Sequence, residues 1–377
     1  MTEQKAIQEE QKKRKGKRHF INRIAMFGNH LAVVALLISY LAPKVSPENF
    51  WFIAFFGLGY PIIVILNLCF IAFWTIQLKK RGIYSSIVLL GGWMLLHRFV
   101  QLNSDTKAEH KMLKVMSYNV KVFDLYNWSH NKETRSKIFG LIKDEAPEIA
   151  CFQEYFHRDS SEFCNTDSLK KINGWQYAHV EYTSHGKFLQ HFGIATFSKY
   201  PIIRTGRVNF GYRGNNVCIF SDLVVGKDTF RVYNMHLQSI AFSKDDYKYA
   251  EDLQKDVETE DIEHSKNILR RLKRAFVKRA RQAELVEESI AKSPYPVIVC
   301  GDFNDTPASY TYSTISKNLT DSFIESGNGF GKSYVGAFPS FRIDYILHGD
   351  KFISHQFRTI HEELSDHFPV VTYLEIQ

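Results

Sequence analysis

The stretch "PYPVIVCGDFNDTP", residues 294–307, decides how this chain is read. Its apolar run, Val297 to Cys300, has the length and composition of a strand buried on both faces, and it stops abruptly at Gly301. Asp302, Asn304 and Asp305 follow at once. Carboxylates beside a core are expensive unless they are paired or coordinate a metal, so this ending asks for a chemical reason. Two later stretches repeat the pattern. "FRIDYIL" (341–347) places Asp344 inside an apolar run, and "LSDHFPV" (364–370) places Asp366 and His367 just before one.

Working back along the chain, several more strand-like runs end in residues of the same chemical type. "MLKVMSYNV" (112–120) closes on Asn119, "EIACFQE" (148–154) on Glu154, and "TFRVYNMHL" (229–237) near its end on His236. "FGIATFSKYPI" (192–202), "VCIFSDLVV" (217–225) and "FPVVTYLEI" (368–376) complete the strand set. Helical spacing marks 134–147, which stops before a proline, and a long segment at 265–292 in which Leu272, Phe276, Ala280 and Ala283 share a face. The basic run 270–281 on that helix reads as a solvated face opposite the acidic stretch 245–263, with phosphate or an anionic membrane as the other reading. If the strand ends gather at one sheet edge, four carboxylates, two carboxamides and two imidazoles share a rigidly held cleft. No HExxH or paired-cysteine pattern is present, which goes against zinc, and hard oxygen donors with few histidines suit Mg²⁺ or Mn²⁺.

In order, "SYNV", "CFQE", "GIATFSKYPI", "YNMHL", "GDFND", "RIDYIL" and "SDHFPV" resemble the motifs of the endonuclease/exonuclease/phosphatase superfamily over about residues 112–376. The resemblance implies a four-layer α/β sandwich, two mostly antiparallel sheets flanked by helices. It also implies Glu154 as the main Mg²⁺ ligand, with Asn119 and Asp366 close to the metal. Asp302 would orient or deprotonate the attacking water, and Asn304 would hold that water or a phosphate oxygen. His236 and His367 would contact the scissile phosphate, with Asp344 fixing the tautomer of His367. Members differ in which group is the base and in whether one or two metals act.

The charge is divided. Residues 1–100 carry 13 Lys/Arg and 4 Asp/Glu, whereas the remaining chain holds 35 and 36, so the net +8 belongs to the N-terminal part and is no sign of nucleic acid. That part also contains three apolar segments, 24–42, 50–78 and 83–100. The first two are long enough to cross a bilayer core and hold no charge, while the third is shorter and ends in His97 and Arg98. A cleaved signal peptide is the other reading of the first segment, but a longer apolar segment follows and no small-residue cleavage site stands out. "KKRKGKR" (12–18) and "KKRG" (79–82) place both basic clusters in the cytoplasm. The expected organisation is a basic cytoplasmic N-terminus (1–23), three membrane helices (24–101), a polar linker (102–111) and a catalytic domain (112–377) outside the cytoplasm, periplasmic in a Gram-negative cell. Were the third segment interfacial, that domain would be cytoplasmic. Cys151 and Cys300 read as buried hydrophobes, and Cys164 and Cys218 match no disulfide framework.

The sequence therefore predicts a membrane-anchored, Mg²⁺-dependent phosphoesterase. A phospholipid or other membrane-proximal phosphodiester competes with DNA or RNA as substrate, the neutral domain charge going against tight duplex binding. A non-catalytic phosphate-binding scaffold and a transport component are further readings; the full set of polar positions and the uncharged span centres go against them. No protein partner is evident.

Overall fold

The computed structural model describes residues 2–104, 111–159, 161–187, 189–212, 214–240, 262–335 and 342–377. The acidic stretch 245–261 and residues 105–110 of the linker lie outside the described residues. The helices are α1 (Thr2–Ser39), α2 (Pro47–Leu58), α3 (Tyr60–Ile76), α4 (Ile83–Gly91), α5 (Trp93–Leu96), α6 (Thr134–Glu145), α7 (Asn165–Asn173), α8 (Ile262–Ala291), α9 (Tyr310–Ile315) and α10 (Ser322–Ser326). The strands are β1 (Gln101–Leu102), β2 (Met112–Asn119), β3 (Ile149–Arg158), β4 (Tyr177–His185), β5 (Gln190–Ser198), β6 (Ile202–Arg207) and β7 (Val217–Val225). They continue with β8 (Asp228–His236), β9 (Val297–Asp302), β10 (Thr320–Asp321), β11 (Asn328–Gly329), β12 (Asp344–His348), β13 (Phe352–Thr359) and β14 (Val370–Ile376).

Two six-stranded sheets carry the second part of the chain. One has the order β13-β14-β2-β3-β5-β4 and the other β10-β12-β9-β8-β7-β6. Each contains one parallel pair, β2 with β3 and β8 with β9, and is otherwise antiparallel. Parallel neighbours need a crossover, and α6 and α8 supply it on the outer faces of the two sheets. Their inner faces meet through Val115, Cys151, Val232, Cys300, Ile346 and Val370, all fully buried. Outside, Ile138, Phe139 and Ile142 of α6 pack on the first sheet, and Ala283 and Val286 of α8 on the second. This is the expected four-layer sandwich.

The basic helix is not simply a solvated face. Arg279 is buried, and its guanidinium donates to Asp305 Oδ2 (3.0 Å) and to the carbonyl of Gln238 (2.7 Å).

The N-terminal segments depart from the expected helices. α1 runs unbroken from the basic stretch through residue 39. Segment 50–78 is two helices bent by 52° between Leu58 and Tyr60, and segment 83–100 is broken into a nine-residue and a four-residue helix. Among the described residues one helix, α1, is long and apolar enough to cross a membrane, and α2 with α3 makes a second only if the bent pair counts as one. Polar side chains buried between the helices set their register. Asn29 of α1 donates to Ser85 Oγ (2.6 Å) and accepts from Trp74 Nε1 (2.8 Å). Tyr40 meets the Val88 carbonyl (2.9 Å) and lies beside Tyr60. Thus α1 and α4 run in one direction and α3 in the other. The end carrying Tyr40, Tyr60 and α5 faces the sandwich.

That contact is close. A Cβ on Gly57 of α2 would lie 2.7 Å from the carbonyl of Ala308. Phe55 packs edge-on against Phe276 of α8, and Lys273 lies over Trp51. Arg98 donates to the Pro307 carbonyl (3.1 Å) and Ser313 Oγ (2.8 Å), and Arg342 donates to the Arg98 carbonyl (2.8 Å). β1 pairs with β11, and Asn103 Nδ2 donates to the carbonyls of Ile324 and Gly327. The start of the expected linker is therefore stitched to the sandwich.

Candidate active site

Topology collects the singled-out residues. The carboxyl ends of β2, β3, β8 and β9 reach one edge, and the antiparallel neighbours β12 and β14 begin there, with Asp344 opposite Asp302 and His236 beside it in register. Local backbone then aims each side chain. At Gly301 φ is +148°, and a Cβ would sit 2.2 Å from the Met235 carbonyl, so only glycine lets β8 and β9 approach here. Asn304 turns the chain with φ +55°, and its N–H donates to Asp302 Oδ1 (2.8 Å). Glu154 does not end its strand as the sequence indicated. β3 continues to Arg158, and a bulge between Phe152 and Tyr155, with Glu154 at φ +48°, turns this carboxylate to the site. Strain of this kind persists where the surrounding fold over-determines it.

Asp302 is the hub. Its Oδ2 accepts from Asn119 Nδ2 and Asn304 Nδ2, both at 3.1 Å. The same oxygen lies 3.6 Å from His236 Nε2 and 3.7 Å from His367 Nε2. Behind it, His367 Nδ1 and Asp344 Oδ2 share a 2.8 Å hydrogen bond. Glu154 Oε1 stands 3.5 Å from Asn119 Nδ2 and 3.7 Å from His236 Nε2, and its side chain is 38% exposed. Asn119, Glu154, His236, Asp302, Asn304, Asp344 and His367 are thus brought together. Asp366 is adjacent in sequence to His367, but its carboxylate is held by Lys121 Nζ at 3.0 Å.

Burial pushes the Asp302 carboxyl up to about 6, the neighbouring Asp344 adding to the rise while His367 and His236 oppose it. Burial works to lower His367, yet the carboxylates of Asp344 and Asp302 outweigh it and hold the imidazole well above its usual range. Asp366 is held below the usual carboxylate range, the charges of His367 and Lys121 overcoming its burial. The edge therefore carries a retained imidazolium beside a carboxylate of raised basicity, the polarity that phosphoryl chemistry requires.

The donors also fit a hard cation. Asp302, Asp344 and His367 have ligand atoms within 4.8 Å of one another. However, His367 Nδ1 and Asp344 Oδ2 are already paired there, leaving only the buried Asp344 Oδ1 without a partner on that carboxylate among the described residues, and a cation would face an imidazolium. The side formed by the Glu154 and Asp302 carboxylates suits a hard cation better, because Glu154 is partly open and only loosely engaged; Asn119 presents its Nδ2 there, while its Oδ1 accepts from the Lys121 N–H (3.2 Å).

Sequence reasoning missed the supports beneath these groups. Gln153 Nε2 donates to Asn234 Oδ1 (2.7 Å), and Asn234 Nδ2 donates to the Ala195 carbonyl (2.9 Å), tying the two sheets together below Glu154 and His236. Both amides sit inside the quoted "CFQE" and "YNMHL", and their signal was a polar residue at an apolar strand position. Lys121 and Ser365, whose Oγ donates to the Asn119 carbonyl (2.8 Å), gave none.

Fold and site together define a four-layer sandwich hydrolase of the kind that works on phosphoesters at the edge of two sheets. The chain belongs to the Endonuclease/Exonuclease/phosphatase family, whose profile matches residues 116–367. As a member it is a metal-dependent hydrolase acting on phosphoester bonds. A second profile, a domain of unknown function (DUF8431), matches residues 22–99. No curated protein matches the chain. Among solved structures, the endonuclease/exonuclease/phosphatase from Bacteroides vulgatus is similar with a TM-score of 0.53 at 17% identity, covering 71% of this chain and 100% of that one. A family protein from Bacteroides thetaiotaomicron gives 0.52 at 17% identity over 71% and 99%. The human Nocturnin catalytic domain gives 0.51 at 16% identity over 72% and 96%. At such identities these likenesses concern the fold.

Proposed function

We propose that the chain is a membrane-anchored, Mg²⁺-dependent phosphodiesterase acting on a substrate at or near the bilayer. The observation that carries the hydrolytic part is the placement of Asp302 between two imidazoles on one side and the Asn119 amide with the Glu154 carboxylate on the other. In this reading Glu154 would hold the cation, with Mn²⁺ as the alternative ion; Asn119 would join by turning its Oδ1 from the Lys121 N–H to the site, and Asp366 only by releasing the Lys121 ammonium. The cation supplies Lewis-acid charge to a phosphoryl oxygen. Asp302 takes the proton of the attacking water, and Asn304 positions that water. His236 and protonated His367 neutralise charge on the phosphate, Asp344 fixing the His367 tautomer through Nδ1.

The membrane part rests on the N-terminal helices, which pack on Pro307 to Ser313, the segment that directly follows the "GDFND" turn. We read the helices as an anchor in which α1, α3 and the α4–α5 segment run to and fro across the bilayer. Both basic clusters lie at the end away from the sandwich, so the positive-inside rule puts the catalytic domain outside the cytoplasm.

The test uses the full chain in detergent and in proteoliposomes, beside Asp302→Asn, with methyl 4-nitrophenyl phosphate, phospholipid vesicles and single-stranded oligonucleotide. Mg²⁺-dependent turnover that disappears in EDTA and in the variant supports the reading. Turnover that survives EDTA removes the metal role. Cleavage of oligonucleotide alone, falling steeply with salt, replaces the membrane-proximal substrate by nucleic acid.

A further inference from the structure

The loop that leaves β2 beside the site is built in an unusual way. Lys121, Val122, Phe123, Asp124, Asn127 and His130 all have φ between +43° and +55°, and none is glycine. Side chains in the left-handed region cost conformational energy, and a run of four is kept only where the surroundings enforce it. Here Val122 and Phe123 are buried, the Phe123 ring packing edge-on against Phe139 and Tyr155. Asp124 accepts from the Ser129 N–H (3.3 Å) and from its hydroxyl. The anchoring turns the next aromatic residues outward. Tyr126 is 59% and Trp128 45% exposed, with ring centroids 4.9 Å apart.

These rings are tied to the site. Lys121 Nζ lies 5.3 Å from the Trp128 ring centroid and 3.0 Å from Asp366 Oδ2. Trp128 is therefore one lysine side chain away from the carboxylate that precedes His367, with its ring steadied by a cation. A bilayer contact does not account for the pair. The loop packs on the outer layer of the first sheet, whereas the N-terminal helices sit against α8 and the Pro307–Ser313 segment of the second. An exposed indole beside a phosphate site is the ordinary platform for a nucleobase, because every base offers a flat face.

Resting on the phosphodiesterase reading, we propose that Trp128, flanked by Tyr126 and backed by Lys121, is a stacking subsite for a nucleobase carried by the group esterified to the scissile phosphate. The substrate class is then a nucleotide-bearing phosphodiester, whether free, in a single strand or attached to a lipid.

The experiment compares two esters with one leaving group, thymidine 5′-(4-nitrophenyl phosphate) and methyl 4-nitrophenyl phosphate, using the full chain. Wild type should prefer the nucleoside ester by roughly tenfold or more in kcat/KM, the span expected for one stacked base. Trp128→Ala should bring the ratio close to one, and Trp128→Phe should keep most of it. An unchanged ratio in Trp128→Ala, or no preference in wild type, overturns the proposal. A second readout does not need turnover. Quenching of tryptophan fluorescence by adenosine monophosphate, absent with ribose 5-phosphate and lost in Trp128→Phe, supports the subsite, and equal quenching by both overturns it. If neither ester is cleaved but the base-dependent quench is present, the hydrolytic reading fails and the subsite stands. Loss in Trp128→Ala confined to cleavage of phospholipid vesicles overturns the nucleobase in favour of lipid. Dinucleotide, oligonucleotide and nucleotide-lipid vesicles, compared in wild type, then separate the three sources.

Discussion

Asp302 is 1% exposed, and in the folded chain its carboxyl ionises at about 6 in place of its ordinary 3.8. The folded protein thus keeps a proton between those values that the unfolded chain has released, so stability falls as pH rises through this window. Above it, ionised Asp302 stands as a destabilising charge of about 3 kcal/mol, from roughly 1.36 kcal/mol per pH unit. Asp302→Asn keeps the size of the side chain and removes that charge, while its NH2 faces donors that the carboxylate accepted from, a loss of about 1–3 kcal/mol that does not depend on pH. In EDTA, where no cation offsets the carboxylate, raising the pH from 4 to 7.5 should favour the variant over wild type by up to about 3 kcal/mol. In a domain of this size that is a relative rise in Tm of about 5–10 °C. At pH 4 only the hydrogen-bond loss should remain. Turnover should fall at the same time by about 10²–10⁴, as expected for a missing general base. Thermal unfolding of both proteins in detergent across pH 4–8, with parallel turnover assays, measures all of this. A difference between variant and wild type that does not move in this direction with pH would refute the claim that Asp302 is held in a strained, charged state for its chemistry.

Gly301→Ala would drive a Cβ into the Met235 carbonyl, with no flexible side chain to yield. It should lose more than about 3 kcal/mol of stability, seen as poor expression or a sharply lowered Tm; an unchanged Tm would mean the β8–β9 approach is wrong. Arg98→Ala removes charged hydrogen bonds to Pro307 and Ser313 and should lower the Tm of the sandwich by the equivalent of about 1–3 kcal/mol. Arg14→Ala, which breaks only an exposed pair with Glu10, should change it by less than about 0.5 kcal/mol, and similar effects from the two would leave the helical unit as a mere tether. A reporter fused after Gln377 should read outside the cytoplasm; a cytoplasmic signal would mean an even number of crossings.

How much of this was legible depends on whether a residue's role is local. The strand endings at Asn119, His236 and Asp302 could be read because a buried apolar run makes a polar stop conspicuous, and β-sheet topology then gathers such stops at one edge. Glu154 misled as to position, since a bulge inserts one residue without any glycine or proline to announce it. Gln153 and Asn234 were hidden for the opposite reason: inside a strand a lone amide looks like a solvated position, and only the second sheet shows it to be a buried cross-tie. The strained turn after Asn119 left no trace either, because its left-handed residues include valine and phenylalanine, which no propensity argument would put there.

The breaks in the N-terminal segments and their contact with the sandwich were illegible for a related reason. Hydropathy counts residues, and it is blind to Gly57 pressing on Ala308 or to the carbonyl of Arg98 being taken up by Arg342. Arg342 is fully buried among Tyr312, Phe323 and Tyr345, and it pairs with Asp321 at 2.7 Å. Two residues further along the chain stands Asp344, which holds His367. A buried guanidinium that loses one acceptor carries the full cost of that loss, so separating the helices from the sandwich should be felt first at Arg342 and then at the Asp344–His367 pair. Arg342 is thus one of the contacts that tie the N-terminal helices to the catalytic edge, and a chain cut at residue 103 would test the sandwich with that contact already broken.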